Sequence, residues 1–437
     1  MFDDRISRVS WAICFIVMLV SMWLSSGTMA PYTATSSAPY VEPFCGYLHS
    51  DLTNQYSVYL LVDGHAWDPT AQGMRRILYF FLAYPFMKGF GFELGGFIFN
   101  VILYSILYVL LAKVIAERYG EKTALWSIWL LVSYPGIAYW GGIPYCHAFI
   151  MPAAFLLYFL LEELDNAQDR LRILAISLIM GVLFLGYDLL PFFGLAGVLL
   201  LLARERYLEA AISLIACALP VALWSTALAY IWHSPVKGPQ TLMYIDTIQA
   251  YWNAFHANFP VWKAWLAQVP NQIAHDFFYG NFLTYSALFV AAVGLNMSRG
   301  RMRVKFTRVE WAIMIAFLAV YLFNNLAPPT EKGWSIKGPL FTRVFESVFV
   351  AYFFYIVRTM KVEIERPKAP WLKRGWGAAV VVFMAFNMTI VFGPILRNPL
   401  AGVLYEKFYP QGEPMSFVEN MDRYGYRPVG FCRPQHP

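Results

Sequence analysis

The sequence has few charged residues for its length. Asp, Glu, Lys and Arg make up 14% of the 437 residues, whereas 59% of the residues are hydrophobic. Soluble domains carry about 25% charged residues, so this composition excludes an ordinary soluble domain. Apolar runs of about 17 to 25 residues recur along the chain, and each is long enough to cross a hydrocarbon core of about 30 Å as a helix. The composition predicts an all-α integral membrane protein.

Several signatures are also missing. The five cysteines include no C-x-x-C pair, which argues against a zinc or redox motif. The glycine pattern GFGFELGG, residues 89–96, lacks the strand and helix of a phosphate-binding loop. The first apolar run, 9–29, lacks a small-residue cleavage site, so we expect a retained span. The net charge of +6 is spread over short loops, so nucleic acid is not an expected partner.

About eleven segments are predicted to be transmembrane helices. With the N-terminus in the cytoplasm, the loops that hold most of the Lys and Arg residues lie inside, as the positive-inside rule requires. These loops are AERYGEK, EELDNAQDRLR, ARERY, SRGRMRVKFTR and RTMKVEIERPKAPWLKR. The predicted spans are 9–29, 93–112, 124–140, 145–161, 173–187, 189–203, 207–232, 281–297, 310–326, 341–358 and 376–396.

Two segments need a separate interpretation. The segment 77–92 is apolar but short and contains Pro85, and we expect it to form a helix in the outer membrane interface. The segment 173–203 has Gly186 near its middle and Pro191 just after it. We expect two short helices joined by an outer turn, whereas one long kinked helix would reverse the sides of all later loops.

The chain, 1–437, is thus predicted to be a single polytopic membrane domain whose long connections lie outside. All seven histidines fall on or near the outer side, and the inner loops are too short to hold a site. The outer connections are 30–92, which includes the interfacial helix, then 233–280, 327–340 and the tail 397–437.

Other outer residues leave alternatives open. The loop 233–280 contains Trp252, Trp262 and Trp265 among apolar residues three or four apart. This spacing predicts amphipathic helices that either anchor at the headgroup level or form a lid over a lipid-borne substrate. Cys45 and Cys432 face the same side and either form a disulfide or stay free thiols.

Outer carboxylates are the first candidates for catalysis. Asp51, in the stretch HSDLTNQYSVY, is placed either to accept a proton from an incoming hydroxyl or to cap a helix. His49 and Tyr56 in this stretch are candidate substrate contacts. Asp63 is the alternative base, and Asp68 belongs to the same stretch, LVDGHAWDP, although its Gly and Pro favour a surface turn.

Outer basic residues are candidates for phosphate binding. Arg75 and Arg76 precede the interfacial helix, where guanidinium groups either clamp a phosphate or contact lipid headgroups. Lys337 and Arg343 lie near the start of the tenth span. Arg343 needs a neutralising group inside that span, either a phosphate or the carboxylate of Glu346.

Two polar residues lie at the outer ends of neighbouring helices. These are His147 and Asp188. A structural hydrogen bond is the simplest role for each of them, and contact with a substrate is the alternative. Both lie on the side where we expect the long connections.

The order of these parts resembles the GT-C superfamily of integral membrane glycosyltransferases. SDLTNQYSVYLLVDGHAWDPTAQGMRRILYFFLAYPF is similar to the family's first outer loop, in which an Asp precedes a Tyr-containing helix and an Arg-rich entry. The next spans, with Asn100 and the helix end at Tyr134-Pro135-Gly136, and the hairpin MGVLFLGYDLLPFFGLAGVLLLLARER are also similar. The likeness covers roughly 9–205. Unlike the protein O-mannosyltransferases, this chain has no paired Asp-Glu after Asp51.

The resemblance implies transfer of a sugar from a polyprenyl-phosphate donor to an acceptor hydroxyl, with inversion, as a step of cell-envelope glycan biosynthesis. Asp51 or Asp63 would be the general base, and arginines would stabilise the departing phosphate. The acceptor would be a glycan, a lipid or a protein, and a requirement for a divalent metal stays open. The expected location is a bacterial inner membrane with a periplasmic site, or the lumenal face of the endoplasmic reticulum in a eukaryote.

Two other classes of function fit a helical membrane bundle. A transporter would pass a solute through the bundle, although the predicted spans contain few central charges and no repeated halves. A structural or assembly subunit of a membrane complex would use the aromatic residues, 18% of the chain, for contacts with lipid and partner. Solute uptake in vesicles or a stable partner in mild detergent would distinguish these two functions from an enzyme.

Overall fold

The computed structural model describes a helical protein. Nearly all described residues are in helices and none of them is in a β-strand, which confirms the all-α prediction. The described residues are 4–26, 58–59, 62–63, 76–142, 144–187, 190–231, 239–256, 266–267, 269–270, 282–297, 304–324, 340–365 and 370–392.

The longer helices are numbered here in chain order. They are α1 (Asp4–Ser26), α2 (Ile77–Phe90), α3 (Phe92–Tyr119), α4 (Glu121–Val132), α5 (Pro135–Gly142), α6 (Ile150–Asn166), α7 (Arg170–Phe184), α8 (Pro191–Leu202), α9 (Tyr207–Ile231), α10 (Pro239–His256), α11 (Phe282–Met297), α12 (Arg308–Asn324), α13 (Leu340–Glu365) and α14 (Pro370–Phe392). A short 3₁₀-helix, Cys146–Phe149, leads into α6.

Three helical segments in the described part of the chain are long and apolar enough to cross a membrane. They are Leu94–Tyr119, Cys146–Asn166 and Tyr207–Tyr230. Every segment predicted as a span contains helix, but among the described residues only these three segments combine the length and the composition of a spanning helix. For example, α7 and α8 have 15 and 12 residues, which is about 22 and 18 Å at 1.5 Å per residue. The helix lengths therefore support a membrane protein, but not by themselves a bundle of eleven spans.

Apolar side chains on the outside of the protein also indicate a membrane environment. On α9, Leu214, Ile215, Leu219 and Leu223 are all exposed. The exposed faces of α1 and α3 are similarly apolar. Large contiguous apolar surfaces are unusual on soluble monomers. Lipid would cover these faces without the cost of contact with water.

The segment 173–203 forms two helices, as predicted. α7 ends at Phe184, and α8 begins at Pro191, where a proline is favourable because the first turn of a helix needs no N–H donor. Arg204, just after α8, forms an ion pair with Asp165 on α6 at 2.9 Å. Arg206 donates to the carbonyl of Ala167, which lies just before α7. The start of α7 and the end of α8 therefore lie side by side.

Ion pairs connect three of the predicted inner loops with one another at one end of the helices. This end is called the basic end. They join AERYGEK to EELDNAQDRLR, and EELDNAQDRLR to ARERY and to the start of α9. The pairs are Arg118 with Glu162, Arg172 with Glu163, Arg204 with Asp165, and Arg170 with Glu209. The sequence placed these loops on the same side of a membrane, and the structure brings them to the same end.

A buried ion pair closes the basic end. The two terminal guanidinium nitrogens of Arg358, Nη1 and Nη2, each lie 2.6 Å from a carboxylate oxygen of Glu310, which is fully buried. Glu310 also accepts from the backbone N–H of Thr307, and its own N–H donates to the Thr307 hydroxyl, which makes a capping box at the start of α12. The pair therefore joins the start of α12 to α13.

α13 is enclosed by other helices along its middle. All residues from 348 to 357 are buried, which is expected of a helix surrounded on every side. Phe155 on α6 lies 5.4 Å from Phe353, and Tyr158 stacks on Phe354 at 4.5 Å between ring centroids. Such ring pairs contribute about 0.5–1.5 kcal/mol each beyond their burial. α6 and α13 thus form the centre of the core.

α2 folds back along α3. Gly91 joins them with a φ of +85°, a conformation that favours glycine. Gly95 on α3 faces the backbone of Phe86 on α2, and the Tyr79 hydroxyl donates to Asn100 at 3.0 Å. The helix predicted over 77–92 is therefore present and packs antiparallel to the first part of α3.

We expect Gly95→Ala to destabilise the protein by about 1–3 kcal/mol, because overpacking against a rigid backbone has this cost. An added Cβ would lie 2.3 Å from the carbonyl oxygen of Phe86. Gly294→Ala on α11 is the control, since nothing lies within 4 Å of an added Cβ at this position. Its gain in helix propensity should stabilise the protein by about 0.5–1 kcal/mol. Thermal unfolding in one detergent measures both. Equal shifts of the unfolding temperature in the two variants would contradict the close contact between Gly95 and Phe86.

We expect Arg358→Met to destabilise the protein by about 3–5 kcal/mol, because the buried carboxylate of Glu310 would lose its counter-charge. The control is Arg172→Met, since Arg172 and Glu163 form an exposed pair for which about 0–1 kcal/mol is expected. Denaturation monitored by circular dichroism compares the two. A loss for Arg358→Met no larger than that of the control would show that the buried pair is unimportant.

Candidate functional site

Four polar side chains meet at the end opposite to the basic end. They are Arg76, Cys146, His147 and Tyr187, here called the Arg76 cluster. Arg76 immediately precedes α2, and Tyr187 lies in the turn between α7 and α8. The N–H of Leu78 donates to the carbonyl of Leu185, which fixes the start of α2 to that turn.

Arg76 is buried within this cluster. Its side chain lies under the protein surface, with a residue exposure of 6%, and its guanidinium carbon is 4.5 Å from the centroid of the Tyr187 ring. A guanidinium over an aromatic face gains about 0.5–2 kcal/mol. Its Nη1 is also 3.9 Å from the Cys146 sulfur. A cation is costly to keep in such a place and is usually kept for a function.

The imidazole of His147 is held on several sides. Its Nε2 lies 2.8 Å from the Tyr187 hydroxyl, and its Nδ1 is 3.9 Å from the Cys146 sulfur. Its ring stacks on Tyr145 at 4.1 Å and on Trp140 at 4.5 Å. His147 thus makes the structural hydrogen bond that its position predicted, and Tyr187 is the partner.

A second hydrogen-bonded chain lies beneath Arg76. The Tyr79 hydroxyl donates to the side chain of Asn100, whose amide nitrogen donates to the carbonyl of Gly141. Asn100 is fully buried. This chain joins α2, α3 and α5, so the three helices position Arg76 together.

Asp63, the alternative candidate base, is occupied by two donors. The Tyr84 hydroxyl lies 2.7 Å and the Lys88 ammonium 2.6 Å from the same carboxylate oxygen. The hydrogen bond from Lys88 to Asp63 raises the pKa of the ammonium, and the hydrogen bond from Tyr84 raises the pKa of the phenol. Both contacts favour the ionised carboxylate. Asp63 therefore fastens its short segment to α2.

The remaining predicted residues fall outside what the structure describes. Arg343 is on the first turn of α13, but its side chain is outside the described part, as is that of Glu346. The other predicted residues outside the described part are Cys45, His49, Asp51, Tyr56, Asp68, Arg75, Asp188, Trp262, Trp265, Lys337 and Cys432.

Two members of the cluster were not predicted. Cys146 and Tyr187 are each the direct neighbour of a predicted residue, His147 and Asp188, and that adjacency was the available signal. Cys14, Cys146 and Cys217 are buried, and none of these three is in a disulfide. Among the described residues, no group of three or more His, Cys, Asp or Glu side chains is arranged to hold a metal ion.

The arrangement supports two kinds of chemistry. A guanidinium beside an imidazole offers hydrogen-bond donors to an anionic group such as a phosphate. An imidazole hydrogen-bonded to a phenol can pass a proton, because each of the two groups can both donate and accept a hydrogen bond. Arg76, His147 and Tyr187 place both groups within one cluster.

Comparison of the chain with protein-family models, with curated proteins and with solved structures finds no match. The likeness to the GT-C superfamily therefore stays a resemblance of motifs and their order.

We expect Tyr187→Phe to lower the free energy of unfolding by about 1–3 kcal/mol, because the buried Nε2 of His147 would lose this hydrogen-bond partner. Tyr230→Phe is the control, since Tyr230 is 80% exposed and a surface change is within about 0.5 kcal/mol. Chemical denaturation of both variants in the same detergent tests this. Equal stability of the two would mean that the hydrogen bond does not hold the cluster together.

Proposed function

We propose that this chain is a membrane glycosyltransferase of the GT-C type. It transfers a sugar from a polyprenyl-phosphate donor to an acceptor hydroxyl at the outer membrane face, with inversion at the anomeric carbon. The observation that carries the proposal is the buried Arg76 at the end opposite to the basic end. Its guanidinium lies over the ring of Tyr187, which is the hydrogen-bond partner of His147. A fixed cation at this end is suited to the phosphate of a lipid-linked donor.

The proposal includes eleven spans and a cytoplasmic N-terminus. Support comes from the basic end, where loops that are rich in Arg and Lys gather through ion pairs. Cytoplasmic loops carry an excess of Lys and Arg, so the basic end faces the cytoplasm. The Arg76 cluster then faces the periplasm of a bacterium, or the lumen in a eukaryote.

Donor binding is assigned to the outer cations. Arg76 holds the phosphate, and Arg75, Lys337 and Arg343 are further groups for the donor. As the bond between the anomeric carbon and the phosphate oxygen breaks, its electron pair leaves with the phosphate. Fixed guanidinium groups stabilise that developing charge.

The general base is assigned to Asp51. The two donors on Asp63 occupy the alternative carboxylate, which supports this choice. The acceptor oxygen attacks the anomeric carbon while Asp51 accepts the hydroxyl proton. The phosphate leaves as a stable anion, so the reaction needs no acid at the leaving group. His49, Tyr56 and Asp188 are the proposed substrate contacts in this segment and the α7–α8 turn.

The proposal predicts an accumulation of lipid-linked donor. Cells with the gene deleted, or with Asp51→Asn, should lose one sugar from an envelope glycan while its polyprenyl-phosphate sugar accumulates. Arg76→Gln should lower kcat/KM by about 10²-fold or more, as the loss of one donor to a developing anion does. Mass spectrometry of the glycan and lipid pools, with a transfer assay, measures these effects.

Two variants serve as controls for this experiment. Arg172→Gln, at an exposed ion pair of the basic end, should leave transfer unchanged. Asp63→Asn should lower stability more than kcat. The proposal is wrong if deletion changes neither pool, or if Asp51→Asn and Asp63→Asn proteins both keep full activity. Transport assays would then follow.

A further inference from the structure

The last two turns of α10 carry an exposed apolar face. Ile248, Trp252 and Phe255 are 59%, 65% and 63% exposed. Successive helical residues are about 100° apart, so positions separated by three, four and seven residues share one face. These three side chains therefore form a continuous apolar strip.

The same turns carry two other faces. Gln249, Asn253 and His256 are exposed polar residues, centred about 100° around the helix from the apolar strip. Ala250 and Ala254 are buried, at 7% exposure each, and their small side chains allow close packing on the protein. The helix thus has one face against the protein and two exposed faces of opposite polarity. These two faces adjoin where the rings of Trp252 and His256 meet, with 4.2 Å between their centroids.

α10 is fastened at the end of the molecule that holds the Arg76 cluster. The Tyr251 hydroxyl donates to the carbonyl of Leu322 at 2.5 Å. Leu322 lies in the last turn of α12, whose first turn forms the buried ion pair of the basic end. α12 therefore runs from the basic end to the level of α10.

We propose that α10 lies in the plane of the membrane interface, with Ile248, Trp252 and Phe255 in the acyl chains and Gln249, Asn253 and His256 in water. A helix at a boundary between two solvents needs two adjacent faces of opposite polarity, which α10 has. Tryptophan is enriched at this level of a bilayer. The occupant of the apolar strip is thus lipid.

The described part of the strip is wholly apolar, and this suits the acyl chains of lipid. The exposed part of these turns also contains no Asp, Glu, Lys or Arg that would orient a charged partner. The exposure pattern of α10 and the association of the protein with a membrane place this helix whether or not the protein transfers a sugar.

In this placement, α10 marks the membrane surface on the side of the candidate site. The boundary between acyl chains and water passes along α10, at the level of the Leu322 carbonyl. A lipid-linked molecule that approaches the Arg76 cluster would meet this helix at that boundary. The position of α10 therefore gives the reference level for the depth of the Arg76 cluster in the membrane.

The test labels the wild-type chain in liposomes with two reagents. A diazirine that dissolves in lipid should label Trp252 and Phe255, and hydroxyl radicals formed in water should oxidise His256 while sparing Trp252 several-fold relative to the unfolded chain. Tandem mass spectrometry locates the labels by residue. Equal oxidation of Trp252 and His256 would overturn the proposal. Protection of Trp252 from both reagents would also overturn it, since a second protein copy would then cover the strip.

A matched pair of variants tests the two exposed faces against each other. Trp252→Asp places a charge in the acyl chains and should increase the oxidation of Phe255 several-fold, because the helix would leave the lipid. Asn253→Asp places the same charge in water and should leave the oxidation of Phe255 unchanged. Equal responses to the two substitutions would contradict the proposed orientation. The labelling of the wild-type chain decides the question even if one variant fails to fold.

Discussion

A charge that leaves water must be paired or surrounded by polar groups and rings, and this constraint organises the described part of the protein. Glu310 satisfies it with Arg358 and the Thr307 N–H, and Arg76 lies against the ring of Tyr187. Because the helices are otherwise apolar, such groups collect where helices begin and end. The helix ends are therefore joined to each other by contacts between charged groups. The helix middles pack mainly through aliphatic and aromatic side chains, with a few neutral polar contacts such as the hydrogen bond from Ser177 to Ser213.

The two ends of the helices accommodate charged groups in different ways. At the basic end, carboxylates and guanidinium groups neutralise each other, and several of these pairs are exposed. At the opposite end, the described cluster brings a guanidinium, an imidazole and a thiol together with aromatic rings. Arg76 and His147 are both buried, whereas the pairs of Arg118 and Arg172 lie at the surface. A buried guanidinium near a buried imidazole makes the Arg76 cluster the stronger candidate for a site.

Much of the helical pattern could be predicted from the sequence, because long apolar runs and breaks such as Gly186 followed by Pro191 are local signals. The gathering of the basic loops followed from their charge. The folding of α2 along α3 was not predicted, because the contact between Gly95 and Phe86 depends on the shape of two backbones. The link between His147 and Tyr187 joins residues 40 positions apart, and hydrophobic periodicity contains no information on such pairs.

The geometry distinguishes between the two carboxylates that are candidates for the general base. In the sequence, Asp51 was the first candidate for the base and Asp63 the alternative, and each lies in a polar stretch before an apolar helix. In the structure, Lys88 and Tyr84 both donate to one oxygen of Asp63, so protonation of Asp63 would weaken two contacts that hold α2. A general base must gain a proton during each turnover, which is costly for a carboxylate that also anchors a helix. The anchor and the base are therefore better assigned to different residues.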